Sequence, residues 1–156
     1  MSTLNSALCE VLAGRYFANL ARIRELAMPL TEEQFWTKPF SYGNSFGHLV
    51  LHLTGNINYY IGSLIANTGY VRDRDHEFTD SHPPSKEDAL KQLDAAVAMV
   101  METIRGQSSD DWAKAYSAVG TNCSNRLDIV VQCGAHMQHH IGQMIYLCNE
   151  LKRQGK

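Results

Sequence analysis

Apolar residues recur every three or four positions along four long stretches of the chain, which predicts four amphipathic helices. We place these helices at about residues 2–28, 45–67, 85–106 and 124–152. No stretch shows the alternation of apolar and polar residues that is typical of a half-buried strand. The pattern therefore predicts an all-α fold, a four-helix bundle that forms a single domain over residues 1–156.

Residues with special backbone preferences mark the ends of these helices. Pro29 should end the first helix, because proline lacks a backbone N–H and clashes with the preceding turn. Asn44 or Ser45 can cap the start of the second helix, and Gly69 can cap its end. Ser85, which is followed by acidic residues, should cap the third helix.

The composition excludes several classes of function. The net charge is -2 and no basic run occurs, so binding of nucleic acid through its phosphates has little electrostatic support. No apolar stretch approaches the roughly 18 residues of a membrane span, and the N-terminus lacks the features of a secretory signal. The four cysteines form no C-x-x-C pair. We therefore expect free thiols and a cytoplasmic location.

Two histidine pairs at helical spacing are the strongest chemical signal. His136 and His140 are four residues apart on the fourth predicted helix, and His48 and His52 have the same spacing on the second. Side chains at this spacing are neighbours on one face of a helix. Periodicity turns His52, His136 and His140 towards the bundle core, where facing helices can build a metal site.

Three nitrogen ligands would leave positions open for water or substrate, which is typical of catalytic metal sites. Such a metal lowers the pKa of a bound water or thiol, and nitrogen ligands suit Zn, Ni, Fe or Cu. If His48 were a fourth ligand, the site would be closed and structural; otherwise it is a surface residue or supports a ligand. His139 points away from His140, towards solvent or a subunit contact. Without metal, the inward histidines would be hydrogen-bonded core residues.

A polar column runs beside the apolar stripe of the second helix. His52 shares this column with Asn56, Tyr59 and Ser63, which either line a pocket next to the metal or form a polar flank. The stripe itself should bury Phe46, Leu49, Val50, Leu53, Ile57, Tyr60 and Leu64.

Two further residues are candidates for supporting the chemistry. Glu77 lies in the long charged loop at residues 70–84, and it is either a general base over the site or a solvated carboxylate. Gln143 lies one turn beyond His139 and His140 and can orient a ligand from outside the metal site.

The same motifs carry a resemblance to a known family. Residues 44–56 read NSFGHLVLHLTGN and residues 136–143 read HMQHHIGQ. Both resemble the motifs of the DinB-like superfamily of bacterial metal-binding four-helix proteins. The loop at residues 72–78, RDRDHEF, is similar to that of a subgroup of its members.

The resemblance implies a divalent metal (Zn, Ni or Fe) held by His52, His136 and His140. It also implies an up-down-down-up order of the helices and a homodimer. Several members are metal-dependent S-transferases that use low-molecular-weight thiols such as bacillithiol or mycothiol. Ile141 stands where many relatives have an arginine after the last histidine, which places any role of that arginine in question.

We therefore expect a metal-dependent enzyme that activates a thiol or water against a small electrophilic substrate. One alternative is a metal-dependent hydrolase, which would not require a thiol. The other is a non-enzymatic metal-binding stress-response protein with a closed site. A thiol requirement separates the first two, and unfolding on metal removal identifies the third.

Overall fold

The computed structural model describes residues 3–155, and its regular structure is helical. No strand occurs in that range, where a single isolated bridge joins Ala115 and Asn125. This confirms the all-α class. The helices are Thr3–Ala27 (α1), Glu32–Trp36 (α2), Phe46–Ile57 (α3), His76–Thr79 (α4), Lys86–Arg105 (α5), Ser109–Ala113 (α6) and Arg126–Arg153 (α7), with a π-helical segment at Asn58–Ser63.

Most helix ends lie where the local chemistry predicts them. α1 ends at Ala27, two residues before Pro29. The Ser45 side chain accepts a hydrogen bond from the backbone N–H of His48, which caps the start of α3. Ser85 caps α5 in the same way. These caps satisfy backbone donors that have no partner in the first turn of a helix.

The second long helix differs from the prediction. It was expected to continue to about residue 67, but the α-helix ends at Ile57 and passes into the π-helical segment Asn58–Ser63. There the backbone N–H of Leu64 donates to the carbonyl of Tyr59, five residues earlier, at 3.3 Å. Each such turn holds one residue more than an α-helical turn.

The wider turn changes which side chains are buried. The α-helical stripe predicted burial of Tyr60 and Leu64, whereas the buried positions are Ile61 and Ile65. Leu64 is 38% exposed, so its predicted place in the core is wrong. The extra residue shifts the apolar face by one position and turns Tyr60 towards the side of the bundle that carries the polar column.

Contacts between the long helices establish two of their relative directions. Glu10 pairs with Arg105, and Arg24 pairs with Asp94, so α1 and α5 run antiparallel. The first pair is exposed and the second half-exposed, so each contributes little to stability.

Buried contacts link α1 with α7. The Tyr16 hydroxyl donates to the Val130 carbonyl at 2.6 Å, and the Cys148 thiol lies 3.7 Å from the Leu26 carbonyl. Both helices therefore run in the same direction, as the up-down-down-up order requires of the first and fourth long helices. The complete order of the four helices stays a prediction. None of the helices within residues 3–155 is long and apolar enough to cross a lipid bilayer.

The core lies between the four long helices. The four cysteines contribute to it as buried free thiols, in agreement with the sequence. Its largest fully buried side chains are Tyr16, Ile23, Phe35, Phe46, Leu53, Ile57, Ile61, Leu93, Ile104, Ile129, Met137 and Met144.

A tight aromatic contact fixes the start of α3. The ring of Trp36 meets Phe35 edge to face, with centroids 5.1 Å apart, and both rings pack against Gly47. A Cβ atom on Gly47 would lie 2.5 Å from two ring carbons of Trp36 and 2.8 Å from Phe35. Only glycine leaves room for these rings.

We expect Gly47→Ala to destabilise the protein. Overpacking typically costs about 1–3 kcal/mol, which exceeds the roughly 1 kcal/mol that alanine gains over glycine in a helix. Gly14→Ala in α1 is the matched control, because nothing lies within 4 Å of its added Cβ. Denaturant unfolding should show a lower free energy of unfolding for Gly47→Ala and a higher one for Gly14→Ala. A gain for both would contradict the packing at Gly47.

Candidate metal centre

Three histidines from two helices converge at the edge of the core, next to a cavity. His52 comes from α3, and His136 and His140 come from α7. The Nε2 atom of His136 lies 3.0 Å from Nε2 of His52 and 3.2 Å from Nε2 of His140. One ligand atom from each of the three lies within 4.8 Å of the other two. His52 is 6% exposed and His140 is 9% exposed.

Neighbouring side chains orient the two buried rings from behind. His52 Nδ1 lies 2.9 Å from Oε2 of Glu77, and His140 Nδ1 lies 2.7 Å from Oε1 of Gln143. A carboxylate and an amide oxygen only accept hydrogen bonds, so both Nδ1 atoms carry the proton. When these rings are neutral, the Nε2 atoms of His52 and His140 carry lone pairs that face the centre of the cluster.

The cluster holds fewer protons than its contacts need. His136 Nε2 faces the Nε2 atoms of both His52 and His140, and it can carry only one proton. With all three rings neutral, at least one contact therefore joins two nitrogen lone pairs. A cation would relieve this repulsion. Nitrogens that bind zinc tetrahedrally at 2.0–2.1 Å lie about 3.3 Å from one another, so this donor set fits a divalent metal ion.

The surroundings favour the neutral form of His136 and His140. Burial, together with the neighbouring histidines, lowers the pKa of His136 to about 4. Burial also lowers the pKa of His140, although its hydrogen bond with Gln143 acts in the opposite direction. Neutral imidazole is the form that binds metal, so the site is ready for a cation at neutral pH.

Glu77 lies behind His52 rather than over the cluster. It belongs to the short helix α4 and is 7% exposed, so the alternative of a solvated loop carboxylate is wrong. Burial alone would raise its pKa, but hydrogen bonds from His52 and Arg72 outweigh burial and lower the pKa. Its role as a general base stays untested. The contacts favour an orienting role, since both carboxylate oxygens are engaged.

Arg72 is the partner that the sequence did not indicate. Its Nε donates to Glu77 Oε1 at 2.7 Å, and its Nη2 donates to Glu77 Oε2 at 3.0 Å. This forked pair ties the long loop to the back of His52. The sequence showed only a cluster of alternating charges in the loop, which does not distinguish a paired arginine from a solvated one.

Gly55 makes room for this arrangement. A Cβ atom at Gly55 would overlap Oε1 of Glu77 and lie 2.9 Å from its Cδ. The carboxylate therefore passes directly over the surface of α3, one turn from His52. In the sequence, Gly55 is indicated only as part of the family motif at residues 44–56.

The remaining candidate residues lie in three different environments: a helix cap, the exposed surface and a cavity wall. His48 is in the cap of α3, with its Nδ1 2.8 Å from Ser45 Oγ, and does not join the other three. His139 is exposed, and its Nε2 lies 3.2 Å from Gln143 Nε2. Asn56 is 7% exposed and lines a cavity together with Tyr59. This location agrees with the pocket interpretation of the polar column.

The cavity opens next to the histidines. It measures about 750 Å³, and its walls include His52, His136, Asn56 and Tyr59. Cys133 also lines it, but burial raises the pKa of this thiol to about 12, so Cys133 stays protonated and packs in the core. A small molecule in the cavity would therefore contact two of the three histidines.

We expect the free energy of unfolding of the metal-free protein to fall as the pH drops from about 6.5 to about 4. The pKa of His136 is about 4 in the folded protein, below its ordinary value of 6.5, so the unfolded chain binds the proton first. The contribution of neutral His136 to the free energy of unfolding is fully present above pH 6.5 and is lost as the pH falls towards 4. Denaturant unfolding at a series of pH values measures the loss.

His136→Gln is the matched control, because it removes the titrating ring. It should lose less stability than the wild type between pH 6.5 and 4.5. The pKa of Glu77 is lowered from 4.5, so this carboxylate adds its own loss only below that range. Equal losses in both proteins would contradict the burial of a neutral His136.

Comparison with known proteins agrees with the geometry. The family model of the DinB superfamily matches residues 16–144, which include all three histidines and the loop with Glu77. A search of curated proteins finds no significant match to the chain. The match covers most of the 156 residues, so the resemblance seen in the motifs is confirmed and the chain belongs to the DinB superfamily.

Proposed function

We propose that this protein is a metal-dependent enzyme that activates a thiol or water against a small electrophilic substrate. His52, His136 and His140 would hold one divalent metal ion per chain. The observation that carries the proposal is the convergence of three imidazoles next to an open cavity. When bound, the metal would act as a Lewis acid that lowers the pKa of a thiol or water, so that a nucleophile exists near neutral pH.

The residues of the chain supply orientation around that chemistry. Glu77 and Gln143 hold the Nδ1 protons of His52 and His140, which keeps both Nε2 lone pairs directed inward. Arg72 holds Glu77 in turn and balances its charge. Such supporting contacts fix the ring positions and increase the basicity of the ligands.

The cavity favours an enzyme over a closed structural site. A structural zinc site usually has four protein ligands, whereas the cluster here contains three. Space for a reactant adjoins the histidines on the side of Asn56 and Tyr59. The choice of metal, the thiol rather than water as nucleophile, the homodimer and the single domain over residues 1–156 remain predictions.

Metal binding by tag-free protein is the first test. We expect about one equivalent of Zn, Ni or Fe per chain by elemental mass spectrometry. Replacing His52, His136 or His140 with alanine should weaken binding by more than the roughly 10–100-fold that loss of a supporting residue costs. His139→Ala is the matched control on the same helix and should bind normally. No metal binding by the wild type would remove the basis of the proposal.

The same variants test the chemistry. Metal-loaded wild type should accelerate the conjugation of a low-molecular-weight thiol such as cysteine with a small electrophile such as monobromobimane. The three alanine variants should lose this acceleration and His139→Ala should keep it. Turnover of an ester without any thiol would favour the hydrolase instead. Unfolding of the helices on metal chelation would favour a structural role.

The orienting role of Glu77 has its own test. Gly55→Ala should displace the carboxylate from His52, since the added Cβ overlaps Glu77 Oε1. We expect metal affinity to fall about 10–100-fold, as for other losses of supporting contacts. Glu77→Gln should produce a loss in the same direction. The fold should survive in Gly55→Ala, because the displaced group is the end of a flexible side chain.

Gly142→Ala in α7 is the control for the change of backbone propensity, since nothing lies within 4 Å of its added Cβ. Its metal affinity should equal that of the wild type. Circular dichroism should show the same helix content in all of these variants. Unchanged metal affinity in Gly55→Ala would exclude Glu77 as a residue that positions His52.

A further inference from the structure

We propose that the cavity beside the three histidines is a binding site for a small carboxylate-bearing molecule with an aromatic body and an amide N–H. In this site Arg74 would bind the carboxylate and Asn56 Oδ1 would accept the N–H hydrogen bond. The inference rests on the proposed function, because it names the class of molecule that the same site would take. It depends on residues of the cavity wall rather than on the metal ligands.

Asn56 points to a ligand with a hydrogen-bond donor. Asn56 is only 7% exposed. Its Oδ1 is buried and has no hydrogen-bond partner among residues 3–155. A buried acceptor without a partner costs free energy, so such groups in folded proteins usually have a reason. Asn56 is one of the residues that line the cavity, one helical turn after His52. A ligand donor that reaches its Oδ1 would therefore also lie close to the histidines.

The charge of the wall points to an anion. The described residues that line the cavity include two arginines, Arg72 and Arg74, and no aspartate or glutamate. Arg72 already holds Glu77 with two hydrogen bonds. Arg74 makes no ion pair within the described part of the chain and is the cation left for a ligand. A carboxylate fits its planar fork with two parallel hydrogen bonds.

The remaining walls favour an aromatic body. Tyr59 and Tyr60, both in the π-helical segment, face the cavity together with Ile129 and Val119. The Tyr60 hydroxyl donates to the Val119 carbonyl at 3.0 Å, which fixes that ring at the cavity wall. A volume of about 750 Å³ lies within the usual range for small-molecule sites.

Hippurate tests the proposal because it combines a phenyl ring, an amide N–H and a carboxylate. Two close analogues each lack one feature. Hippurate methyl ester lacks the anion, and O-benzoylglycolate has an ester oxygen in place of the N–H. Binding of all three is measured by isothermal titration calorimetry, with metal-free protein and again after addition of one equivalent of Zn.

Two variants separate the proposed contacts. Asn56→Leu keeps the size of the side chain and removes the acceptor. It should lower the affinity for hippurate roughly tenfold or more and leave the affinity for O-benzoylglycolate unchanged. Arg74→Gln should lower the affinity for both anions by a similar factor and leave the affinity for the methyl ester unchanged. Equal affinities of the wild type and both variants for hippurate would overturn the proposal, as would failure of hippurate to bind in either metal state.

The two metal states keep this proposal distinct from the proposed function. Binding to metal-free protein with the expected pattern in the variants would support the site even if no metal binds. Metal binding and thiol conjugation without recognition of hippurate would support the enzyme and overturn the ligand class. If hippurate binds only in the presence of Zn, and with the same affinity in the wild type and both variants, the metal alone holds the carboxylate. This result would also overturn the proposal.

Discussion

The contact between Glu77 and His52 is the interaction on which the centre depends. It crosses from the long loop to α3, and it fixes the proton of His52 on Nδ1 at the side away from the cluster. Because the carboxylate is buried, it needs the two hydrogen bonds from Arg72 to remain charged. Gly55 provides the space in which all three groups meet. The loop therefore acts as a support for one imidazole ring.

Helical periodicity was sufficient to predict that the three histidines converge, whereas the contacts behind His52 depend on a loop. The spacing of His136 and His140 and the inward position of His52 follow from 3.6 residues per turn, which local sequence encodes well. Glu77 and Arg72 lie in a segment without periodicity, so nothing in the pattern indicates which charges fold inward. The contact between Gln143 and His140 could be anticipated because both lie on the same helix, about one turn apart; the orienting role of Gln143 stays a prediction.

The π-helical segment explains the main error in the fold and also shapes the cavity. No residue in the Asn58–Ser63 segment signals a wider turn, since a glycine such as Gly62 weakens a helix without indicating how many residues its turns hold. The wider turn shifts burial from Leu64 to Ile65 and brings Tyr60 to the cavity wall. Such turns are frequent at functional sites, where they disturb a regular helix to position particular side chains. The same segment therefore precedes the mispredicted Leu64 and supplies two tyrosines of the cavity wall.

Charge links the two proposed ligands. Glu77 and Arg72 neutralise each other, and the low pKa of His136 keeps that ring uncharged at neutral pH, so a divalent metal would add two positive charges that no described neighbour of the cluster balances. Arg74 adds a third on the adjoining wall. An anion in the cavity would offset part of this charge in a partly buried site, where electrostatic interactions are stronger than in water. Metal and anion should therefore each raise the affinity of the protein for the other, and by the same factor, because coupling between two bound ligands is reciprocal.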